Sequence, residues 1–255
     1  MTTTLGIIGA GHLARYTVAG MRNGGDRRRI LVSPRNREMA AALAAEQQCE
    51  IMTSNQAVID AADLVILAVR PEALDGVLDE CRFSDGQTVL SCIAGVPAAR
   101  FPANIRLVRA MPLSSAEFGA GAIPIFPDNG DVRELFTPLG SVIAMEDEQQ
   151  FELATIAACY NGWLLDLFST VSDWLAQSGL DPAQARELTL AATQGAAALG
   201  AGKSNSGLRE LSDGIATPNT LTRLGLDHLK DAGAFAPWAE ACELLRRELK
   251  LDAAG

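Results

Sequence analysis

A glycine pattern near the amino terminus has the residue types and spacing to hold a phosphate-bearing ligand. Gly9, Gly11 and Ala14 fit the spacing G-x-G-x-x-A, directly after an apolar run and at the start of a helical pattern. The first glycine permits a tight turn, the second lets the backbone approach a pyrophosphate, and the third small residue lets helix and strand pack closely. In this strand–turn–helix context the pattern predicts a dinucleotide site, with a purely structural turn as the alternative.

The residues after the second apolar run indicate which dinucleotide would bind. Ser33 ends that run, and Arg35, Asn36 and Arg37 follow. Proteins that bind NAD often carry a carboxylate at this place for the ribose 2′-hydroxyl. A carboxylate would repel a 2′-phosphate, whereas Arg and Ser can bind one through charge and hydrogen bonds. The pattern therefore favours NADP(H), with NAD(H) left open and solvated loop charge as the alternative for Arg35 and for Arg37.

Further cofactor contacts are expected where parallel strands end, because ligands of open α/β sheets bind beyond the carboxyl ends of the strands. The ends of the later strands should flank the cofactor and reach its nicotinamide end. The complete set of predicted cofactor-binding residues is Gly9, Gly11, His12, Leu13, Ser33, Arg35, Asn36, Ala68, Val69, Arg70, Pro71, Ala94, Met111 and Pro112.

Composition narrows the class of protein. The chain has 255 residues, 48% hydrophobic and 20% charged, which is typical of a soluble globular protein and long enough for two domains. A net charge of −10 disfavours binding to nucleic acid or an anionic membrane. Two histidines and five widely spaced cysteines without C-x-x-C predict no metal site. The start of the sequence has no secretory pattern, so we expect a cytoplasmic protein.

The hydrophobic pattern changes near Glu146. Before it, strand-like runs such as Ala62–Val69 alternate with helical segments, which predicts an α/β domain over residues 1–145. Its expected fold is a Rossmann, doubly wound, mostly parallel sheet. The segments GAIPIF and SVIAM are predicted as edge strands, because Pro124 and Pro127 disfavour central positions. Residues 146–255 have an all-helical pattern, and their apolar helices predict burial by another subunit.

Two helix starts in the second half are predicted from capping patterns. Asp181 and Thr217 are each followed by proline, so each would be an N-cap with proline at the first helical position.

Together these segments resemble the pyrroline-5-carboxylate reductases over nearly the whole chain. The resemblance is carried by IGAGHLA, DLVILAVRPEAL, LSCIAGV, VRAMP and the run from TPNTLTRLGLDHL to AGAFAPWAEA. It implies a Rossmann domain followed by an all-α dimerisation domain, giving a homodimer or a ring of dimers. It also implies NAD(P)H-dependent reduction of a cyclic imine carboxylate, with 1-pyrroline-5-carboxylate to L-proline, a step of proline biosynthesis, as the first candidate.

Three segments depart from the family pattern on the substrate side. This chain has MPLSSA where the family has M-P-N-T-P-A, and ACYNGW where the family has G-S-G-P-A-Y. It has TPNTLT where the family has S-P-G-G-x-T. In the last, Asn219 and Thr220 replace two glycines, which we expect to reshape that loop. The candidate catalytic residues are Thr222, which matches the family pattern, and Tyr160, for which packing in an apolar helix is the alternative. The candidate substrate-binding residues are Ser114, Asn161, Thr217 and Asn219.

The chemistry expected of an imine fits this set. An imine can enter as an iminium, which already accepts hydride well, so the protein mainly orients it and complements its charge. A hydroxyacid dehydrogenase would instead need a Lys, His or Tyr to move the hydroxyl proton. The segment from Phe151 to Leu175 contains no Lys, although Tyr160 could serve. The sequence is also compatible with an imine reductase for a different ring and with a non-catalytic NADP-binding protein.

Overall fold

The computed structural model describes residues 3–249 and 251. Within them, eight strands form one sheet: β1 (Leu5–Ile8), β2 (Ile30–Val32), β3 (Glu50–Ile51), β4 (Leu64–Leu67), β5 (Thr88–Ser91), β6 (Arg106–Ala110), β7 (Ala122–Phe126) and β8 (Ser141–Ala144). The α-helices of the same residues are α1 (His12–Asn23), α2 (Arg37–Gln47), α3 (Asn55–Ala61), α4 (Leu74–Glu80), α5 (Gly130–Phe136), α6 (Glu148–Gln177), α7 (Pro182–Gly202), α8 (Leu208–Ile215), α9 (Leu221–Asp231) and α10 (Ala236–Glu248).

The predicted doubly wound, mostly parallel sheet is confirmed. Its strand order is β3-β2-β1-β4-β5-β6-β7-β8, and every neighbouring pair is parallel except β6 and β7. Residues of β1, β4 and β5 are buried throughout, because helices cover both faces of the sheet. One apolar core contains residues of α1, α2 and α5, and the other contains residues of α3 and α4.

One of the two predicted edge strands is not at an edge. β8 is the outer strand as expected, but β7 lies between β6 and β8, so the edge assignment of β7 was wrong. The carbonyl of Pro124 accepts from the Met111 N–H at 3.1 Å, which shows that the missing N–H of Pro124 faces the β6 side. Proline is tolerated there because it removes only one bond, at the end of the short β6–β7 pairing.

The change from strands to helices falls where the sequence places it. β8 ends at Ala144 and α6 begins at Glu148, after which the described residues form helices and turns. The chain nevertheless divides into two compact units further along, between Ala158 and Cys159. Phe151, Thr155 and Ile156 of α6 are buried and belong to the first unit. None of the helices over residues 3–249 and 251 is both long and apolar enough to cross a bilayer.

One predicted helix start is confirmed and the other is wrong. Asp181 caps α7, and its Oδ1 accepts from the N–H groups of Ala183 at 3.0 Å and Gln184 at 3.2 Å. Thr217 does not cap α9, because the helix begins later, at Leu221, with Thr220 as its N-cap.

Asn219 explains the later start of α9. Its φ of 65° is in the left-handed region, so a right-handed helix cannot run through it from Pro218. Asparagine tolerates this region better than most residues. Asn219 therefore adopts a conformation that glycine would also readily adopt.

Candidate functional site

The glycine turn between β1 and α1 has the geometry that its sequence predicts. Gly9 has a φ of 103°, and a Cβ placed on it would lie 2.6 Å from the carbonyl carbon and oxygen of Ala68, just after β4. A Cβ on Gly11 would meet nothing within 4 Å. Ala14 is buried against the sheet. Gly9 thus permits close packing inside the protein, while Gly11 leaves open space in front of the helix.

The start of α1 is suited to an anion. Gly11 is the N-cap and has no side chain that could accept from the first-turn N–H groups. Such N–H groups and the positive end of the helix dipole together form a ready anion site. His12 is exposed at this start, whereas Leu13 is half-buried and packs against the core. The residues present therefore fit a pyrophosphate at this turn.

A recess of about 100 Å³ lies beside the glycine turn. Its lining brings together five residues that the sequence predicts as cofactor contacts, namely Gly9, Ser33, Arg35, Asn36 and Val69. Asn55, the first residue of α3, also lines the recess and was missed by sequence reasoning. The capping residue Ser54 signals the helix start, but nothing local indicates that this helix begins beside the recess.

Ser33 and Asn36 have structural roles within the recess. Ser33 is buried, and its Oγ accepts from the Gly9 N–H at 3.0 Å, which ties the end of β2 to the glycine turn. Asn36 caps α2, with its Oδ1 accepting from the Met39 N–H at 3.3 Å.

Arg35 supplies positive charge to the recess. Its Nη2 lies 3.5 Å from Oε2 of Glu80, and both side chains are 62% exposed. An exposed ion pair of this kind contributes little stability, so Arg35 can exchange Glu80 for a stronger anion at small cost.

The remaining predicted cofactor residues follow the ends of β4, β5 and β6 and are Ala68, Val69, Arg70, Pro71, Ala94, Met111 and Pro112. Ala94 is exposed at this edge of the sheet, as are Arg70 and Pro71. Met111 and Pro112 are buried, so their side chains support the edge from within.

An ion-pair cluster around a buried arginine near the end of β6 was missed by the sequence analysis. Arg109 is only 1% exposed, and its Nη1 lies 2.9 Å from Glu148 Oε1 and 2.6 Å from Glu152 Oε1. Its guanidinium lies 4.5 Å from the ring centroid of Phe151. No local pattern could reveal this cluster, because Arg109 is in a strand and its partners are in α6.

The cysteine that follows β5 has an unreactive thiol. Cys92 is buried, and burial raises the pKa of its thiol to about 12. The same effect raises the pKa of Cys49 to about 11, partly opposed by the charge of Arg22. Both thiols therefore stay protonated at neutral pH, which excludes them as nucleophiles in the folded protein.

In the second unit, Tyr160 belongs to an aromatic cluster with Trp163 and Trp238. The Tyr160 and Trp238 ring centroids are 6.0 Å apart, and those of Trp163 and Trp238 are 6.2 Å apart, both pairs edge to face. Tyr160 is 44% exposed, and the neighbouring Asn161 is also exposed. Such pairs stabilise the packing of α6 against α10.

The loop before α9 carries three more candidates, Thr217, Asn219 and Thr222, all exposed. Its conformation is held by Thr220, whose Oγ1 donates to the Thr217 carbonyl at 2.7 Å and accepts from the Arg223 N–H at 3.2 Å. Arg223 also donates from Nε to the Ala216 carbonyl at 2.7 Å. Ser114, by contrast, is exposed at the start of a 3₁₀ turn in the first unit.

Two family models match the two halves of the chain. Residues 4–95 match the model described as NADP oxidoreductase, coenzyme F420-dependent. Residues 148–248 match the model described as pyrroline-5-carboxylate reductase dimerisation. Together with the glycine turn, these matches define an oxidoreductase with a dinucleotide-binding domain followed by a dimerisation domain.

Other proteins match over nearly the whole chain. The pyrroline-5-carboxylate reductase of Pseudomonas aeruginosa is 27% identical over 91% of this chain and 90% of its own length. The structure of the 1-pyrroline-5-carboxylate reductase of Streptococcus pyogenes matches with a TM-score of 0.84 and 23% identity, over 97% of this chain and 98% of that one. A reductive aminase of Aspergillus terreus, in complex with NADPH and ethyl levulinate, matches with a TM-score of 0.59 and 21% identity, over 99% and 89% of the two chains. The chain thus resembles the pyrroline-5-carboxylate reductases over nearly its whole length.

Proposed function

We propose that this protein reduces a cyclic imine carboxylate with NADPH, and that its substrate is 1-pyrroline-5-carboxylate, which gives L-proline. The observation that carries the proposal is the glycine turn: an open helix start at Gly11 lies beside a recess lined by Arg35, in a chain that resembles this family. The relatives named as pyrroline-5-carboxylate reductases support the substrate. We place this activity in the cytoplasm and in proline synthesis.

The first-unit residues would bind the cofactor by its charges. The first-turn N–H groups of α1 would hold the pyrophosphate, and Arg35 would pair with the 2′-phosphate. Asn55 and the backbone at Val69 would complete the wall of the recess. NADPH, when bound, supplies the hydride. The edge after β5 and β6, with Ala94 exposed and Met111 buried, would support the nicotinamide end.

The second-unit residues would orient the substrate rather than activate it. An iminium is already electrophilic, so no buried general acid is required. At the start of α9, Thr220 occupies the Arg223 N–H, and the earlier N–H groups of the helix are suited to the substrate carboxylate. The hydroxyl of Thr222 would donate to the ring nitrogen or carboxylate. We assign Thr217, Asn219, Asn161 and the Tyr160 hydroxyl to the substrate as well.

A different imine is the second candidate, because the substrate-side segments have diverged. Tyr160 stands where the family carries glycine, and it forms part of an aromatic cluster with two tryptophans. Such a cluster favours a larger or more apolar ring than a pyrroline. The fold is also shared with a reductive aminase that was crystallised with NADPH.

We also propose that the working form is a homodimer or a ring of dimers. Helices α8 and α9 expose large apolar side chains, with Leu208 at 74%, Leu221 at 88% and Leu224 at 69% exposure. Exposed apolar surface of this extent is typical of a subunit interface, and the region matches the dimerisation family model. Light scattering of Leu221→Glu beside the wild type tests this, because a charge at the interface should produce monomers.

The deciding experiment follows NADPH oxidation with 1-pyrroline-5-carboxylate and with a six-membered cyclic imine carboxylate. Preferred turnover of the five-membered ring supports proline formation, and preferred turnover of the larger ring supports the second candidate. Binding of NADPH without turnover of either imine would contradict an imine-reducing function.

A variant pair tests the cofactor part of the proposal. Arg35→Ala should weaken NADPH binding about 10- to 100-fold, because a hydrogen-bonded charge pair is lost, and leave NADH binding unchanged. Arg37→Ala removes an exposed arginine that does not line the recess and should change neither. Equal losses for both cofactors in Arg35→Ala would refute the role of Arg35.

A further inference from the structure

The ion-pair cluster formed by the buried Arg109 with Glu148 and Glu152 connects three segments of the first unit. Arg109 is in β6, one residue before its end at Ala110, and both carboxylates are in the first turns of α6. The third segment is the loop after β5. There the Ala98 N–H donates to Oε1 of Glu148 at 2.7 Å.

Glu148 is the residue that joins these segments. A single oxygen, Oε1, accepts both from Arg109 Nη1 and from the Ala98 N–H. Ala98 lies in the loop that carries Ala94, and Arg109 lies in the strand that leads to Met111. The two segments that the proposed function assigns to the nicotinamide end are therefore held at a fixed spacing by one carboxylate.

The cluster is not arranged for maximum stability. Both carboxylates contact the same nitrogen of Arg109, while Arg109 Nε and Nη2 and Glu152 Oε2 are buried without hydrogen-bond partners among the described residues. Burying charges carries a desolvation cost that imperfect pairing does not recover, and apolar residues of similar size often stabilise a protein equally well. A positional role explains why Glu148 bridges two segments in addition to pairing with a charge.

We propose that Glu148 is a positioning residue that holds the loop carrying Ala94 against the Met111 end of β6, and so shapes the surface that receives the nicotinamide. This inference rests on the proposed function. It gives Glu148 no contact with substrate or cofactor, because the residue acts through the Ala98 backbone and Arg109.

Two alanine variants provide a matched test. Glu148→Ala and Glu152→Ala each leave Arg109 with one carboxylate, but only Glu148→Ala releases the Ala98 N–H. Binding is measured for NADPH and for 2′-phospho-ADP-ribose, which lacks the nicotinamide. Glu148→Ala should weaken NADPH binding by up to about tenfold, because the loop that receives the nicotinamide loses the charge-assisted hydrogen bond that holds it, and should leave binding of 2′-phospho-ADP-ribose unchanged. Glu152→Ala should not change the ratio of the two affinities.

The conservative variant and a ligand-free measurement add independent readouts. Glu148→Gln keeps an acceptor oxygen for the Ala98 N–H and should restore the wild-type ratio. Hydrogen exchange of the Ala98 amide in the ligand-free protein should be faster in Glu148→Ala than in Glu152→Ala.

Three results would overturn the inference: equal weakening of both ligands in Glu148→Ala, the same ratio in the two alanine variants, or no binding of NADPH by the wild type. The last would also overturn the proposed function. A wild type that binds NADPH but reduces no imine would contradict the proposed function alone, and the ligand comparison would still decide the role of Glu148.

Discussion

Replacing Gly9 and Gly11 by alanine should affect different properties: Gly9→Ala should lower the stability of the protein, and Gly11→Ala should weaken its binding of NADPH. At Gly9 the φ of 103° is unfavourable for any residue with a Cβ, and the added atom would lie 2.6 Å from the Ala68 backbone. Backbone strain of this kind costs about 1–3 kcal/mol, and forcing an atom into a packed site typically adds about 1–3 kcal/mol. Gly9→Ala should therefore lower the free energy of unfolding by about 2–6 kcal/mol.

At Gly11 the same substitution meets open space and an extended backbone, with a φ of −134°. The stability should change by no more than about 1 kcal/mol, which is the usual range for a change at an N-cap. The added methyl would instead occupy the space assigned to the pyrophosphate. Loss of one or more charge-assisted hydrogen bonds should raise the Kd of NADPH about 10- to 100-fold.

Thermal denaturation and NADPH titration of the two variants separate these effects. Gly9→Ala should show a Tm lower by roughly 10 °C, as expected for a protein of this size. Gly11→Ala should denature like the wild type but bind NADPH weakly. A Gly11→Ala protein that binds NADPH normally would refute the placement of the pyrophosphate, and an unchanged Tm for Gly9→Ala would refute the close approach to Ala68.

Three further predictions concern the second unit and the core. Thr220→Ala should lower the free energy of unfolding by about 1 kcal/mol in urea denaturation, because it removes the cap of α9, whereas Thr217→Ala should change it by less than about 0.5 kcal/mol; equal losses would contradict the assignment of the cap. Asn219→Val should cost about 1–2 kcal/mol in the same assay, because a β-branched residue disfavours the left-handed region, and Asn219→Gly should be tolerated; similar values for the two variants would argue against that conformation. Burial raises the pKa of Cys92 from 9.0 to about 12, so the stability that the protonated thiol contributes is complete below pH 9 and is lost as the pH rises toward 12. In Cys92→Ala the urea midpoint should therefore fall less steeply over that pH range than in the wild type. The same slope in both proteins would contradict the raised pKa.

Features with a local signal were predictable from the sequence. The glycine turn depends on spacing within one strand–turn–helix segment, and its apolar run becomes β1. Asp181 and the proline after it form a cap whose partners are the next residues along the chain. The cap of α9 was misplaced because Asn219 adopts a left-handed φ, which a threonine–proline pair does not reveal.

Features made by contacts between distant segments were not predictable. The bond between Ser33 Oγ and the Gly9 N–H joins two strands that only the sheet order brings together. β7 is an inner strand because β8 pairs with its other side, and the prolines in the β7 segment give no sign of that pairing. Asn55 reaches the recess because α3 packs against β1, and the carboxylate partners of the buried Arg109 come from α6.

The position of the unit boundary inside α6 has a practical consequence for dividing the chain. A shortened protein that ends at residue 145 would retain Arg109 in the sheet and lose both of its carboxylates and the ring of Phe151. Leaving a buried charge without its partner costs about 3–5 kcal/mol, a large part of the stability of an ordinary domain. Chimeras that exchange cofactor-binding halves between relatives should therefore take the first turns of α6 from the same parent as the sheet, with the junction after Ala158.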